Sequence, residues 1–576
     1  MNQKTYNIVL ILLIVFSFFS AIQPTTKSDY DPQGTYYVST TGSDITGDGS
    51  IGNPWGTIDY AYEHINGQFV LNIRNGTYDE RVYQYADRGK SGTIANPSII
   101  QAYPGEVVYW MQRNTTGSPN GAFDATQIQN LTIQNINFVD CVYFGIHLLL
   151  QISTYPLNNI TIYNCTFTNI SCSAIKVRGA NAPAYSILID ACSTYNIENG
   201  WSSVGHDQEG ISFSDTHLSR INNTRMRLCY KNNIDIKGDS SRNVVSNCTI
   251  NTSRLHYTGT GTLPIGSGGG VYFDAYGQST SWNIVENCHI FGNRTSIHFN
   301  SEVDDGNNAG CNNNTAINCI LHVNESPQVD VFPVSYDAGA SGRAQLRFNS
   351  VYYCTLIGGF SCVGLYRAAA DIISCNITDC IMTDADNWAI QMQEPVGNYN
   401  FSAYNNLFNL TSEYYGHNSV NGTPDFKGTG SDPYNITSTS DAIDAGADCG
   451  YYIDYAFTIR PQGLSFDIGA YEFAEESEST IEFVSIDGGT NGTSILSSCP
   501  TFNWTLVANT TQYWLQISTT STFITLTANI TNVCEVIFPT YYTSNATHVS
   551  FTLPPSYSLA PNTYYCRVCA QTRSGL

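Results

Sequence analysis

One short context recurs along this chain: a cysteine set behind a polar residue or tyrosine and just ahead of an apolar pair or alternation. It reads "NCTF" at Cys165, "NCTI" at Cys248, "NCHI" at Cys288, "NCIL" at Cys319, "YCTL" at Cys354 and "DCIM" at Cys380. No zinc-ligand spacing joins these residues. A context repeated in this way marks one structural position visited many times, with Cys as a small buried residue. The chain has 18 cysteines, and a secreted chain with that many suggests disulfides. That expectation attaches to Cys499, Cys534, Cys566 and Cys569 near the C-terminus.

A second repeat runs beside the first. Short strands of the form small-apolar-X-apolar-X read "GIHLL" (145–149), "AIKVR" (174–178), "GISFS" (210–214), "NIDIK" (233–237), "GVYFD" (270–274), "SIHFN" (296–300), "GLYRA" (364–368) and "AIQMQ" (389–393). "QVDVF" (328–332) fills the one gap in the series. Most are preceded by another short strand with Asn-rich turns, and helical periodicity is absent. Such coils cannot bury an apolar face alone, whereas stacking them buries a continuous core. The expected fold is all-β, a right-handed parallel β-helix. A β-propeller wants four strands per unit and a more regular period.

Strand alternation then assigns faces. Ile146, Ile175, Ile211, Ile234, Val271, Ile297, Leu365 and Ile390 point inward. One outward column reads His147, Lys176, Ser212, Asp235, Tyr272, His298, Tyr366, Gln391; the next reads Leu149, Arg178, Ser214, Lys237, Asp274, Asn300, Ala368, Gln393. A chain with only 12% charged residues places His, Tyr, Asp, Lys and Arg together here. That concentration reads as a groove for an extended polar ligand, the aromatics suiting sugar faces; a plain solvated sheet face is the alternative.

Within the groove, Asp274 ends one ladder strand and Glu302 follows the next. Carboxylates one rung apart, ~4.8 Å, approach the spacing of a nucleophile and acid/base pair in retaining glycoside hydrolysis. His298 and Tyr272 stand beside them as substrate contacts. A second cluster, His206, Asp207, Glu209 and Asp215, sits around another ladder strand and is equally readable as cation binding, substrate contact or turn chemistry. A third, Lys176, Arg178, Asp235 and Lys237, holds basic groups beside an Asp. It is what a polysaccharide lyase would use to take a proton α to a uronate carboxyl, or an ordinary set of ion pairs.

Charge narrows the partners. Lys plus Arg is 24 and Asp plus Glu is 47, a net −23. Nucleic-acid backbones and anionic lipid would be repelled, which leaves a polysaccharide or glycan that is neutral, or anionic and bridged by cations. Residues 1–25 read as a signal peptide, Lys4 preceding an apolar run too short for a comfortable membrane span. The chain is expected to be secreted or at the cell surface, with no other membrane insertion. Asn-x-Ser/Thr sequences are frequent and allow N-glycosylation.

"GTYYVSTTGSDITGDGSIGNPWGTIDYAYEHI" (34–65), "IRNGTYDERV" (73–82) and "GTIANPSIIQAYPGE" (92–106) resemble the N-terminal cap and first coils of secreted β-helix proteins active on carbohydrates. Taken alone, "GSDITGDGSIG" is half a calcium loop with Trp55 where the last ligand should be. Beside its neighbours it reads as a turn braced by Asp44 and Asp48. No cofactor is expected, and a structural Ca2+ is the one ion left open. "DAIDAGADCG" (441–450) with "RPQGLSFDIGAYEF" (460–473) looks like the segment that closes many such helices. "GVYFD" followed by "SE" is similar to the catalytic pair of β-xylosidase-like glycoside hydrolases, which makes Asp274 the nucleophile and Glu302 the acid/base by resemblance. Two details differ from that family: Ala275 follows the Asp where an aromatic is usual, and one extra residue precedes Glu302.

The organisation expected is a β-helix over 30–473, an acidic linker at 474–479, and a fibronectin type III-like β-sandwich over 480–576 that lacks its final strand. Trp504, "YWLQI" and "TYYCRV" carry that last resemblance. Three functions follow from the sequence: a glycoside hydrolase, a non-catalytic adhesion or glycan-binding protein, and a polysaccharide lyase.

Overall fold

The computed structural model describes residues 34–474 and 483–572, leaving out 84–89, 114–120, 151–155, 180–182, 198–208, 230, 252–268, 277, 293–294, 304–309, 324–330, 339–344, 368–370, 393–398, 413–415, 431, 487–499, 506–509, 519–527, 534–541, 545–547 and 554–564. Residues 1–25, His206 and Asp207 therefore lie outside the described residues, as does all but the first residue of the expected linker. Among the described residues no helix is long and apolar enough to cross a membrane.

The chain up to Asn421 winds through three parallel sheets. A coil visits them in a fixed order, as in Gly121–Thr126 on sheet 3, Gln129–Gln134 on sheet 1 and Asn137–Cys141 on sheet 2, after which Phe144–Leu150 returns to sheet 3. Ile146, Ile175, Ile211, Ile234, Val271 and Ile297 pair in register and are fully buried, as the alternation requires. The fold is a parallel β-helix.

The gap in the ladder is filled by Val334–Ala338, not by residues 328–332. A second correction follows. Gly364 pairs with Ser335 and Gln391, so Tyr366 belongs to the second outward column, opposite Asp337, while Ala368 lies outside the described residues. The slip is of two residues, so faces are preserved while register is not. Val363 and Leu365 are both apolar and both inward, and alternation alone could not choose between them.

The repeated cysteine occupies one corner, between sheets 1 and 2. Its column runs Cys165, Cys192, Thr224, Cys248, Cys288, Cys319, Cys354, Cys380, joined by backbone bonds such as Ser193 N to Cys165 O (3.0 Å) and Thr355 N to Cys319 O (2.9 Å). The cysteines in it are buried free thiols. Each donates to the carbonyl two residues back, at 3.1 Å for Cys319 and 3.2 Å for Cys354. The one threonine makes the same bond, Thr224 Oγ1 to Asn222 O, at 2.8 Å. The preceding residue, usually Asn, takes the left-handed conformation that turns the corner, with φ 49° at Asn164, 54° at Asn247 and 51° at Asn287. Among the four C-terminal cysteines, Cys499 and Cys534 are outside the described residues, and so are the side chains of Cys566 and Cys569.

A second internal stack lies where sheet 1 bends. Asn243, Asn283, Asn314 and Asn349 are fully buried and linked side chain to side chain at 2.9–3.1 Å. Each amide also donates to a carbonyl one coil earlier, as Asn283 Nδ2 does to Ser240 O at 3.2 Å. Buried amides are tolerated because every rung satisfies the next.

At the N-terminus, Ile58–His64 forms helix α1 over the first coil. Asp44 accepts from Gly56 N (2.7 Å), Thr57 N (3.0 Å) and Thr57 Oγ1 (2.8 Å); Asp48 accepts from Ser50 N (2.9 Å). Glu80 takes the next two helix N–H groups, Ile58 N and Asp59 N. The carboxylates that looked like calcium ligands thus brace the turn and the helix N-terminus.

The 434–473 segment packs sideways on sheet 2 and its corner. Outward positions of early coils are polar or mixed (Asn137, Thr166, Ser193, Arg225, Thr249). Of the later ones, Ile320, Ile381 and Leu407 are apolar, with Thr355 between the first two, and they are covered by Ile436, Ala442, Ile468 and Ala470. Asp379 anchors it, accepting from Ala447 N and Cys449 Sγ, both at 3.0 Å. Inside the segment, Arg460 is buried against Glu472 (3.1 Å) and the carbonyls of Asp467 and Gly469. Residues 483–572 form two antiparallel sheets, one burying Phe502, Trp504, Val549 and Phe551, the other Leu515 and Ile517.

Candidate functional site

Sheet 3 presents its outward columns along most of the helix. By register the first reads Asp124, His147, Lys176, Ser212, Asp235, Tyr272, His298, Ser335, Gly364, Gln391. A solvated sheet face would leave these side chains in water. Instead Asp124 is 2% exposed, Lys176 3%, Ser212 0% and Asp235 2%. Polar and ionisable groups facing away from the core are therefore removed from solvent, a costly arrangement unless each finds a partner.

Some partners are present. His147 Nδ1 lies 2.9 Å from Asp124 Oδ1, and Arg81 Nε lies 3.5 Å from the other carboxylate oxygen. The Lys176 ammonium stands 5.7 Å from the Phe144 ring. Lys237 reaches Asp235 Oδ2 at 2.8 Å and Glu209 Oε1 at 3.6 Å. Two carboxylates thus flank one ammonium. On adjacent rungs, however, Ser212 Oγ and Asp235 Oδ1 are buried with no hydrogen-bond partner among the described residues.

The carboxylate Asp274 is half-buried, one rung beyond Lys237 and one before Asn300. Asn300 Nδ2 donates to Asp274 Oδ1 at 3.5 Å and also contacts the Tyr272 hydroxyl. Tyr272 meets His298 edge-on with ring centroids 4.7 Å apart, and His298 Nε2 stands 3.9 Å from Asp337 Oδ2. Asn300, not Glu302, is the residue opposite Asp274. Glu302 falls at a bulge, where Ala275 pairs with Ser301 and Tyr276 with Val303. One rung across and two residues along puts the Asp274 and Glu302 backbones ~8 Å apart rather than the single rung expected. Bulges re-aim side chains and are common beside active sites.

The structure thus brings Asp235, Lys237, Tyr272, Asp274 and His298 together on the outward face of sheet 3, with Glu209 beside Lys237. Lys176 lies further along the first column and exposed Arg178 along the second. Asp215 is drawn off to the following turn, where it accepts from Ser214 Oγ and Asp239 N. Sequence reasoning missed Asp124, Arg81 and Asp337. "GAFDAT" (121–126) has the ladder pattern and carried a readable signal for Asp124; Asp337 was lost with the misplaced gap strand. No cluster of three or more His, Cys, Asp or Glu suited to a metal occurs among the described residues.

These sheets make the chain a parallel β-helix protein. No protein-family model and no curated protein matches its sequence. Among solved structures it is similar to pectate lyase Pel9A (14% identity, TM-score 0.44, 77% of this chain and 96% of that one). It is also similar to XylC in complex with xylose (10%, 0.44, 76% and 98%) and to an alginate lyase from Paenibacillus sp. str. FPU-7 (13%, 0.40, 58% and 99%). Likeness at this level leaves the chemistry to be argued from the site.

Proposed function

We propose that the outward face of sheet 3 is a groove for an extended polysaccharide, and that the protein is a secreted or surface-displayed glycoside hydrolase. The observation that carries this is the pair Ser212 Oγ and Asp235 Oδ1. Both are buried on neighbouring rungs without a partner among the described residues, beside ionisable groups that face away from the core. Sugar hydroxyls would supply the missing hydrogen bonds, and Tyr272 and His298 would meet sugar faces and edges.

In this reading Asp274 attacks the anomeric carbon while Glu302 protonates the departing oxygen. Water, deprotonated by Glu302, then releases the sugar from Asp274. Asn300 and Lys237 flank Asp274 and hold its charge. Glu302 stands at the bulge of its strand, and its side chain lies outside the described residues. The C-terminal sheets would be a fibronectin type III-like spacer.

Screening polysaccharides for new reducing ends tests the reading. Activity lost in Asp274→Ala and Glu302→Ala supports it. Absorbance from an unsaturated uronate would assign a lyase instead, and binding without any cleavage would assign an adhesion or glycan-binding protein.

A further inference from the structure

Where sheet 1 bends, one residue per coil sits in the left-handed conformation: Leu218 (φ 52°), Arg242 (58°), Trp282 (61°), Asn313 (54°) and Phe348 (57°). Backbone bonds stack them on successive coils, from Leu218 N to Ser241 O (3.1 Å), Arg242 N to Ser281 O (3.3 Å), Trp282 N to Asn312 O (3.1 Å) and Asn313 N to Arg347 O (2.8 Å). Asn suits this backbone; bulky side chains strain it. Yet Leu218, Trp282 and Phe348 occupy it while 56%, 58% and 51% exposed, so core packing does not explain them. Strain combined with exposure points to a use in binding.

Their spacing describes the ligand. Apolar residues take alternate rungs, ~9.6 Å apart, with Arg242 and Asn313 between. A β-1,4-linked polysaccharide advances about one strand spacing per sugar and turns over at each residue, so the same face recurs every second rung. Arg242 is exposed and Arg347 adjoins Phe348, and neither makes an ion pair among the described residues of a chain with net charge −23. The ridge is also rigid, because the residue after each member is Ser219 or a rung of the buried asparagine stack.

We propose that this ridge is a second binding surface, separate from the groove, for an extended β-linked acidic polysaccharide. Sugar faces lie on Leu218, Trp282 and Phe348, and carboxylates meet Arg242 and Arg347. The surface stands whether or not the sheet 3 face is catalytic.

The test uses the full chain made without N-glycosylation, since Asn313 itself begins an Asn-Asn-Thr sequence on the ridge. An Asp274→Ala background prevents turnover. Calorimetry with β-1,4-linked hexamannuronate and neutral mannohexaose then compares this protein with Trp282→Asn/Phe348→Asn, Arg242→Gln/Arg347→Gln and Asp235→Asn versions. The ridge predicts that both ridge pairs weaken hexamannuronate binding about tenfold or more, the scale of a lost stacked ring or charge contact. It predicts that Asp235→Asn leaves a binding site of unchanged affinity, and that mannohexaose binds more weakly. Unchanged affinity in both ridge variants overturns the surface, and equal affinity for the neutral hexamer overturns its acidic ligand. Failure of the groove would appear separately, as loss of nothing in Asp235→Asn and no cleavage by the unmodified chain. Thermal unfolding confirms that each variant is folded, which Asn at the same position of the neighbouring coil makes the expected result.

Discussion

Asn283 donates its side-chain amide to the carbonyl oxygen of Asn314 at 2.9 Å, one coil along, in the interior of the helix where both are fully buried. The same Asn283 oxygen accepts from Asn243 Nδ2 and from Asn243 N, both at 3.0 Å. One side chain thus serves bonds to both neighbouring coils.

Asn283→Ala should therefore destabilise the helix more than its size suggests. It strands the Asn243 backbone N–H and one Asn243 amide hydrogen, while Asn314 Oδ1 keeps its bond from Asn283 N (3.0 Å) and Asn243 Nδ2 its bond to Thr216 O (2.7 Å); each buried unsatisfied group costs about 1–3 kcal/mol. Chemical denaturation should show a loss of at least about 2 kcal/mol; a loss near zero would mean the stack contributes only geometry.

The cysteine corner predicts a contrast between two substitutions at one position. Cys354→Ser keeps a donor to Tyr352 O, as Thr224 already does in its own coil, and should cost little. Cys354→Ala removes that donor and the acceptor used by Cys319 N at 3.4 Å, and should cost about 1–3 kcal/mol. Thermal unfolding of the two variants checks the order. In the native protein a thiol reagent should leave this column unlabelled, since burial hides it and pushes the Cys192 thiol up to about 12.

Trp282→Asn should raise stability by about 1 kcal/mol, because Asn accepts the left-handed backbone that strains Trp. A stabilising change that also removes ridge binding would show that the exposed ring is kept for binding rather than folding. Destabilisation by Trp282→Asn would place the ring among the packing groups instead.

The fold was legible because its signal is repetition. Stacked coils repeat inward apolar positions, left-handed Asn corners and small buried cysteines, and each repeat reinforces the last. Register was less legible: at Val363 and Leu365 two inward positions are equally apolar, so Tyr366 was displaced by two residues. The site was readable only in part. Asp235, Lys237 and Asp274 stood out as charge in a chain poor in charge. Asp124 and Asp337 lay on rungs whose strands were not recognised. The bulge at Glu302 is a backbone irregularity that an extra residue hints at but cannot aim. The sideways docking of 434–473 was written in the outward switch from polar residues to Ile320, Ile381 and Leu407, which inward-facing patterns do not report.

That docked segment should loosen as pH rises. Burial raises Asp454 to about 6 and Asp467 to about 7. A carboxyl whose folded value exceeds its unfolded one stabilises the fold fully below about pH 4. That contribution is lost as pH climbs through the folded values of about 6 and about 7. Hydrogen exchange over residues 444–473, corrected for its intrinsic pH dependence, should show easier opening at high than at low pH across this window. Equal protection would mean these carboxyls titrate normally.

The groove itself is tested most directly by reducing-end release from a panel of polysaccharides, with the full chain and its Asp274→Ala variant side by side. Release from at least one polysaccharide by the unmodified protein, abolished or cut by about a thousandfold in Asp274→Ala, is the expected result. No release from any polysaccharide, or equal release by both proteins, would contradict a hydrolase built on Asp274.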